Sequence, residues 1–293
     1  MKEDGTRRTN DFWSTGSYTI GAASSFMSTF ATFPIYKTIY RQQIHAIAMR
    51  EAVRQLRQEG LRHFYRGVYP PLLAKTVQGT LLFGTHDTLL HFLSGSTSGP
   101  YKLRDRWTAG LFSGSVEAFL LSPFERIQNI MQDGRKVARF PQIHTIVREF
   151  KSYGLRESLT LGYYRGFFPI LLRNGLGSAL YFSFKDPVRD ILSEKGLPSW
   201  LPALFSGSIN GTVTCLVLYP LSVLIANMQS QVGRDSLSVH ECMRTIWESR
   251  GRKISLVYQG SSLIILRSCV TWGLTTAIHD FLKAKTEGKI KKL

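Results

Sequence analysis

Cysteine, acidic residues and uninterrupted apolar sequence are all in short supply in this chain. Its 293 residues hold three cysteines, Cys215, Cys242 and Cys269. That odd number, without metal-like spacing, indicates neither a disulfide framework nor a zinc site. The seven histidines show no paired ligand spacing either, so no metal is expected. There is no nucleophile–base pair and no Gly-rich phosphate loop, which leaves a soluble helical enzyme without chemistry; no catalytic residue is expected. The 20 acidic residues face 37 Lys and Arg, a formal net charge of +17. So basic a chain suits a partner with phosphates or carboxylates, or an anionic membrane surface. The basic residues lie mainly between the apolar stretches and form no compact basic domain, so nucleic acid is not the expected partner. The opening residues, MKEDGTRRTNDFW, lack an apolar signal core, and any address is expected to be internal.

The mean hydropathy of -0.06 looks that of a soluble protein. Its distribution says otherwise. Weakly polar stretches rich in Gly, Ser, Thr and aromatics recur at 17–35, 68–93, 107–124, 167–184, 201–226 and 261–282. Each is close to the roughly 20 residues an α-helix needs to cross a bilayer. Most carry a polar or charged interruption, the pattern of helices with lipid on one side and a wet cavity on the other.

One interruption repeats. Pro34 in TFPIYKTIYRQQ, Pro123 in SPFERIQNIMQ and Pro220 in YPLSVLIANMQ all sit in apolar context, and nine residues beyond each is a glutamine: Gln43, Gln132 and Gln229. Proline inside a helix costs roughly 3 kcal/mol, so its threefold recurrence marks architecture. Downstream of the prolines come FYRG, YYRG and VYQG, ending at Gly67, Gly166 and Gly260, and twenty residues after each glycine stands an aspartate: Asp87, Asp186 and Asp280. Between proline and tag lie AIAMREAVRQLRQEG, PQIHTIVREFKSYG and SVHECMRTIWESRG, short charged segments with helical apolar spacing that read as amphipathic surface helices. Small residues four apart on each first helix, Gly21 and Ser25, Gly110 and Gly114, Gly207 and Gly211, point to close helix packing in all three repeats.

These landmarks resemble the signature of the mitochondrial carrier family: Pro-x-acid-x-x-basic, then acid-Gly-x4-aromatic-basic-Gly, three times over. The likeness covers about residues 17–283. FPIYKTIYRQQ, SPFERIQNIMQDG and YYRGFFPILLRNGLGSALYF are further similar to the small branch that contains the mitochondrial NAD transporter. The resemblance implies an all-α membrane protein of six transmembrane helices in three pseudo-threefold repeats. Each repeat has two helices and a short matrix amphipathic helix, and the whole works by alternating access in the inner membrane. The expected boundaries are an N-terminal tail at 1–16, repeats at 17–99, 100–196 and 197–285, and a basic tail at 286–293.

Departures from the family pattern fall at the matrix gate. The acid and base expected two and five residues after each proline are here Tyr36 and Ile39, Glu125 and Gln128, Ser222 and Ile225. Only Glu125 survives, so the usual salt-bridge ring cannot form. Lys37 and Arg41 are candidate partners for Glu125, and apolar contacts from Ile39, Ile130 and Ile225 are a candidate substitute for the ring. Arg41, Glu125, Gln43, Gln132 and Gln229 make up the expected matrix gate. At the other end the resemblance implies a cytoplasmic gate of Asp87, Asp186, Asp280 and their followers Arg189 and Lys283; the third follower is Leu90. Interfacial snorkelling is the alternative account of these charges.

About three turns below the gate acids are three equivalent pairs: Ala74 with Lys75, Arg173 with Asn174, and Arg267 with Ser268. Lys75, Arg173 and Arg267 would be costly facing lipid, so they are expected to face a cavity. The resemblance makes these pairs, with Glu117, the substrate-binding set, suited to an anion: guanidinium groups fit phosphate oxygens and Asn174 an amide or base edge. Glu117 reads as neutralising one cavity arginine or as a proton carrier. Tyr163, Tyr164, Phe182, Phe184 and Trp272 are weaker candidates for stacking on a base. The helix openings at Gly67, Gly166 and Gly260 are implied cardiolipin sites, best preserved in repeat one, because Tyr153, Arg250 and Gln259 depart from the motif. The expected function is a monomeric inner-membrane carrier of a small nucleotide-like anion, NAD first, with cardiolipin as bound lipid and no other cofactor. A carrier-fold scaffold or receptor without transport is the alternative, motivated by the depleted ring.

Overall fold

The computed structural model describes residues 15–60, 65–94, 102–194, 200–233, 237–268, 270 and 271. Every regular element among them is helical: α1 (Thr15–His45), α2 (Met49–Gln58), α3 (Tyr69–Ser94), α4 (Leu103–Gln132), α5 (Ile143–Lys151), α6 (Phe167–Ser193), α7 (Trp200–Val217), α8 (Tyr219–Ser230) and α9 (Val239–Ser249). Residues 261–268 open a further helix. The order long–short–long occurs in the first two repeats, and the third repeats it through α7 and α8, then α9, as far as the opening of the helix at residue 261. Pro34 and Pro123 lie inside the continuous helices α1 and α4. In the third unit the helix breaks instead. Leu218 leaves the helical region, and α7 meets α8 at a bend of 65°. Pro220 then sits in the first turn of α8, where its missing N–H deprives no partner.

The short helices are amphipathic for the same local reason in each repeat. Residues four apart face the interior: Ala52 and Leu56 in α2, Ile146 and Phe150 in α5, Cys242 and Ile246 in α9. A capping box starts α9, with the Glu241 N–H donating to Ser238 Oγ at 3.3 Å and the Ser238 N–H donating to Glu241 Oε2 at 2.8 Å.

Glycine closes the ring of repeats. Gly67, Gly166 and Gly260 have φ of +84°, +74° and +97°, a conformation that suits a residue without a Cβ. Each is also pressed against the next repeat. A Cβ on Gly67 would lie 3.0 Å from Met131 Cβ, one on Gly166 would lie 3.4 Å from Met228 Cβ, and one on Gly260 would lie 3.0 Å from Gln42 Oε1. Gln42, Met131 and Met228 all stand eight residues after the repeat proline. Repeat one therefore packs on two, two on three, and three back on one.

The small-residue pairs behave differently from one another. Gly110 and Gly114 bring α4 against α6 so closely that a Cβ would fall 2.6 Å from Ala179 Cα and 2.2 Å from the Asn174 carbonyl oxygen. Gly211 has nothing within 4 Å and lines a cavity instead, so the expectation of packing at all three pairs is corrected there. The side chains at positions 21 and 25 lie outside the described set.

Polar side chains are buried in the bundle beside its apolar clusters, and large apolar side chains are exposed on its outer faces. Ser113, Glu117, Ser178 and Asn210 are buried, whereas Phe30, Phe112, Phe119, Phe168 and Val213 are exposed on the same long helices. Polar residues lower the apolar average of every helix. Among the described residues no single helix is long and apolar enough to cross a membrane, and one bent pair, Phe205–Val217 with Tyr219–Ser230, meets that test.

Candidate functional site

The polar interior opens into a cavity of about 540 Å³, a usual volume for a small-molecule site. All three equivalent pairs line it: Ala74 and Lys75 from α3, Arg173 and Asn174 from α6, Arg267 and Ser268 from the helix that opens at residue 261. Glu117 and Glu125 of α4 line it as well. Three cations against two carboxylates leave the walls with one net positive charge.

The three cations are not equivalent. Arg173 is fully engaged: its Nη1 and Nη2 donate to Glu125 Oε1 and Oε2 at 2.8 Å each, and its Nε donates to Asn174 Oδ1 at 2.9 Å. Arg267 lies over the ring of Tyr36, 5.3 Å from its centroid, a cation–π contact. It forms no hydrogen bond or ion pair among the described residues, and its Nε is buried without a partner. Lys75 likewise forms no ion pair among them and is exposed to the cavity. Glu117 forms no direct ion pair with an arginine among the described residues. Gln78, one turn beyond Lys75 on α3, donates from Nε2 to Glu117 Oε1 at 2.5 Å.

All six positions of the expected ring line the cavity, and the three places meant for acids have separate uses. Tyr36 gives Arg267 an aromatic face, and Glu125 holds Arg173. The third, Ser222, donates back to the Leu218 carbonyl at 3.3 Å. The candidate partners of Glu125 are corrected: Arg41 donates instead to Glu59 at 2.5 Å, and Lys37 is buried elsewhere on α1. The isoleucines do not form a common plug, since Ile39, Ile130 and Ile225 belong to three separate apolar clusters.

Below the cavity a circuit of uncharged hydrogen bonds joins α1, α4 and α8. Tyr40 Oη donates to the Asn129 carbonyl at 2.6 Å, Asn129 Nδ2 donates to Gln229 Oε1, and Asn227 Nδ2 donates to the Gln43 carbonyl at 3.1 Å. Tyr40, Asn129 and Gln229 are almost fully buried. Gln229 enters the circuit through its side chain and Gln43 through its backbone. Gln132 is fully buried, and its amide has no hydrogen bond among the described residues. At the rim Asp133 pairs with Lys136 Nζ at 3.2 Å and stands 3.6 Å from His45 Nε2.

Arginines fasten the seams around this circuit by reading carbonyls at helix ends, where the macrodipole favours a cation. Arg126, wholly buried, donates to Gly162 at 3.0 Å, to Gln231 at 2.5 Å and to Gln229. Arg165, the basic residue of the second tag, donates to the Met228 carbonyl at 2.9 Å. The third tag has Gln259 at that position. Arg250 takes over, donating to the Gln43 carbonyl at 2.5 Å, so a departure in sequence is compensated in space.

The remaining candidates divide. Asp280 and Lys283 lie outside the described residues, as do the side chains of Asp87 and Asp186; Arg189 stands 3.5 Å from Asp190. Gly166 is the N-cap of α6. The stacking candidates among the described residues do not line the cavity. Tyr163 packs edge-on against Phe150, Tyr164 stacks on Phe119, and Phe182 stacks on His86 at 3.7 Å between centroids. Phe184 does not line the cavity, whose aromatic residues are Phe33, Tyr36 and Tyr40, and Trp272 lies outside the described residues.

Comparison with known proteins agrees with this arrangement. The family described as mitochondrial carrier protein matches residues 10–97, 99–196 and 197–289. The chain is 64% identical over 278 residues to solute carrier family 25 member 53 of Homo sapiens, covering 94% of this chain and 90% of that one. It is 35% identical over 267 residues to a mitochondrial nicotinamide adenine dinucleotide transporter of Mus musculus, covering 90% and 88%. It is 32% identical over 267 residues to a transporter of the same description from Homo sapiens, again covering 90% and 88%.

Proposed function

The chain belongs to the mitochondrial carrier family, and from that premise we propose that it is an alternating-access carrier of a nucleotide-like anion, with NAD the first candidate. The long helices are its six membrane spans. Their exposed apolar faces meet lipid and their polar faces meet the cavity, the reverse of a soluble bundle. Cardiolipin phosphates occupy the helix openings at Gly67, Gly166 and Gly260, where free amides and the positive dipole end favour an anion. Asp87, Asp186, Asp280, Arg189 and Lys283 close the cytoplasmic side. The protein acts as a monomer.

One observation carries the substrate reading: Lys75 and Arg267 line the cavity without a direct ion pair among the described residues. Buried or half-buried charges are normally paired, so an open pair in a cavity is a seat for an anion. NAD suits it chemically. Its pyrophosphate meets Lys75 and Arg267, and its positively charged pyridinium ring has Glu117 as a counter-charge. The relatives named as NAD transporters supply the candidate.

A thermal-shift series on purified protein with cardiolipin tests this reading against NAD, its precursors, other nucleotides, coenzyme A and small carboxylates. A ligand that binds the folded state raises the melting temperature by mass action. The expected outcome is a selective rise with NAD. Folded protein that responds to none of them would favour the scaffold reading. The uncharged circuit beneath the cavity removes the main motive for that reading, because it ties together the helices that the lost salt bridges would have joined.

A further inference from the structure

We propose that Glu125 is a built-in competitor for the cavity's anion site. Its carboxylate occupies the paired donors of Arg173 that an incoming phosphate or carboxylate would use, and solute binds by exchanging one oxyanion for the other. This rests on the cavity being the solute site. The geometry is that of a bound ligand. Both carboxylate oxygens meet both terminal guanidinium nitrogens at 2.8 Å, the fork-to-fork arrangement that arginine offers to carboxylates and phosphates generally.

The pair is placed for exchange rather than for structure. The Arg173 and Glu125 side chains are 22% and 20% exposed, on the cavity wall, so water and solute reach both. Asn174 holds Nε of the same guanidinium, and Arg173 therefore keeps its orientation when Glu125 leaves. Glu125 itself has no basic residue three positions on, where Gln128 stands, and the corresponding positions on the neighbouring helices are Ile39 and Ile225.

Two consequences follow for the solute. An anion is captured first at Lys75 and Arg267, which need no displacement, and reaches Arg173 only if a second oxyanion group can replace a carboxylate held by two hydrogen bonds. The site therefore selects solutes with two neighbouring oxyanion groups, such as a diphosphate ester, over those with one. Competition also holds affinity down, which favours release on the far side. Removing the carboxylate charge should tighten binding on the order of tenfold, the value of one charge-assisted hydrogen bond at the low end of its range.

The test uses purified full-length protein in cardiolipin-containing micelles. Arg173 is modified with phenylglyoxal, a guanidinium reagent, and followed by mass spectrometry in wild type, E125Q and the shortened E125D. Inorganic pyrophosphate and NAD serve in turn as protectants. The expected result is several-fold faster modification of Arg173 in both variants, with pyrophosphate protecting E125Q at about one-tenth of the wild-type concentration. Equal modification rates in wild type and both variants would overturn the proposal. Equal protection by pyrophosphate would overturn it as well. Pyrophosphate protection with no NAD protection in any form would uphold the exchange at Arg173 and remove NAD as the solute. If E125Q does not fold, E125D retains the charge but cannot reach both donors, and the same comparisons decide.

Discussion

Charge at single residues sets what this cavity can hold. Replacing Arg267 or Lys75 by Ala removes an open cation without leaving a stranded counter-charge among the described residues. Each should weaken anion binding by about 10- to 100-fold, the value of a charge-assisted hydrogen bond, with little change in melting temperature, as read by ligand titration and unfolding of the free protein. The cysteines give a second test. Cys215 is exposed and lines the cavity, whereas Cys242 is buried on the inner face of α9 and burial pushes its thiol up to about 11. At pH 8 a maleimide should therefore label Cys215 and spare Cys242, and anion binding should protect Cys215. Linkage fixes the sign for stability. Unfolded Cys242 ionises from 9.0 and the folded thiol only at about 11, so the unfolded chain loses its proton first. Stability should be undisturbed by this group below pH 9 and fall between 9 and 11, a fall that Cys242→Ser diminishes in pH-dependent unfolding.

Helix packing sorts the glycines that look alike in sequence. Gly114 lies against the Asn174 carbonyl with no space for a methyl group, and Gly211 lies in the open. Gly114→Ala should force α4 from α6 and cost about 1–3 kcal/mol, while Gly211→Ala should leave stability unchanged or raise it by up to about 1 kcal/mol, both read as melting-temperature shifts. The repeat itself was legible because local rules impose it. Proline, a glycine with positive φ, and an apolar residue every fourth position leave marks in one dimension. The cavity-facing cations were legible because a charge midway along an apolar helix is costly facing lipid. What the chain concealed depends on distance between helices. Glu125 and Arg173 are 48 residues apart, and nothing local tells Glu125 to prefer Arg173 over Lys37. Gln78 carried a signal that was available, one turn beyond Lys75, but a neutral amide draws no attention until its partner Glu117 is seen. Arg250 looked like a defect in the motif, and only the fold shows it at the Gln43 carbonyl.

At the scale of the whole molecule, neutral hydrogen bonds join the helices within a turn beyond the positions where the family pattern places ion pairs. Tyr40, Asn129, Gln229 and Asn227 bind the three helices beneath the cavity, and uncharged contacts are nearly insensitive to ionic strength. Asn129→Leu leaves the Gln229 amide buried without its donor and should destabilise the fold by about 1–3 kcal/mol. The check is a lower melting temperature for the free protein, by the same amount at low and at high salt. The glycine clamps that close repeat three onto repeat one make the cavity a property of the complete ring, so anion binding should require all three repeats. Uptake of labelled NAD into cardiolipin-containing liposomes, comparing wild type with Arg267→Ala, tests the central claim most directly. Saturable uptake by the wild type that is lost in the variant is the predicted result. Absence of uptake by folded wild-type protein, or equal uptake by both, would contradict it.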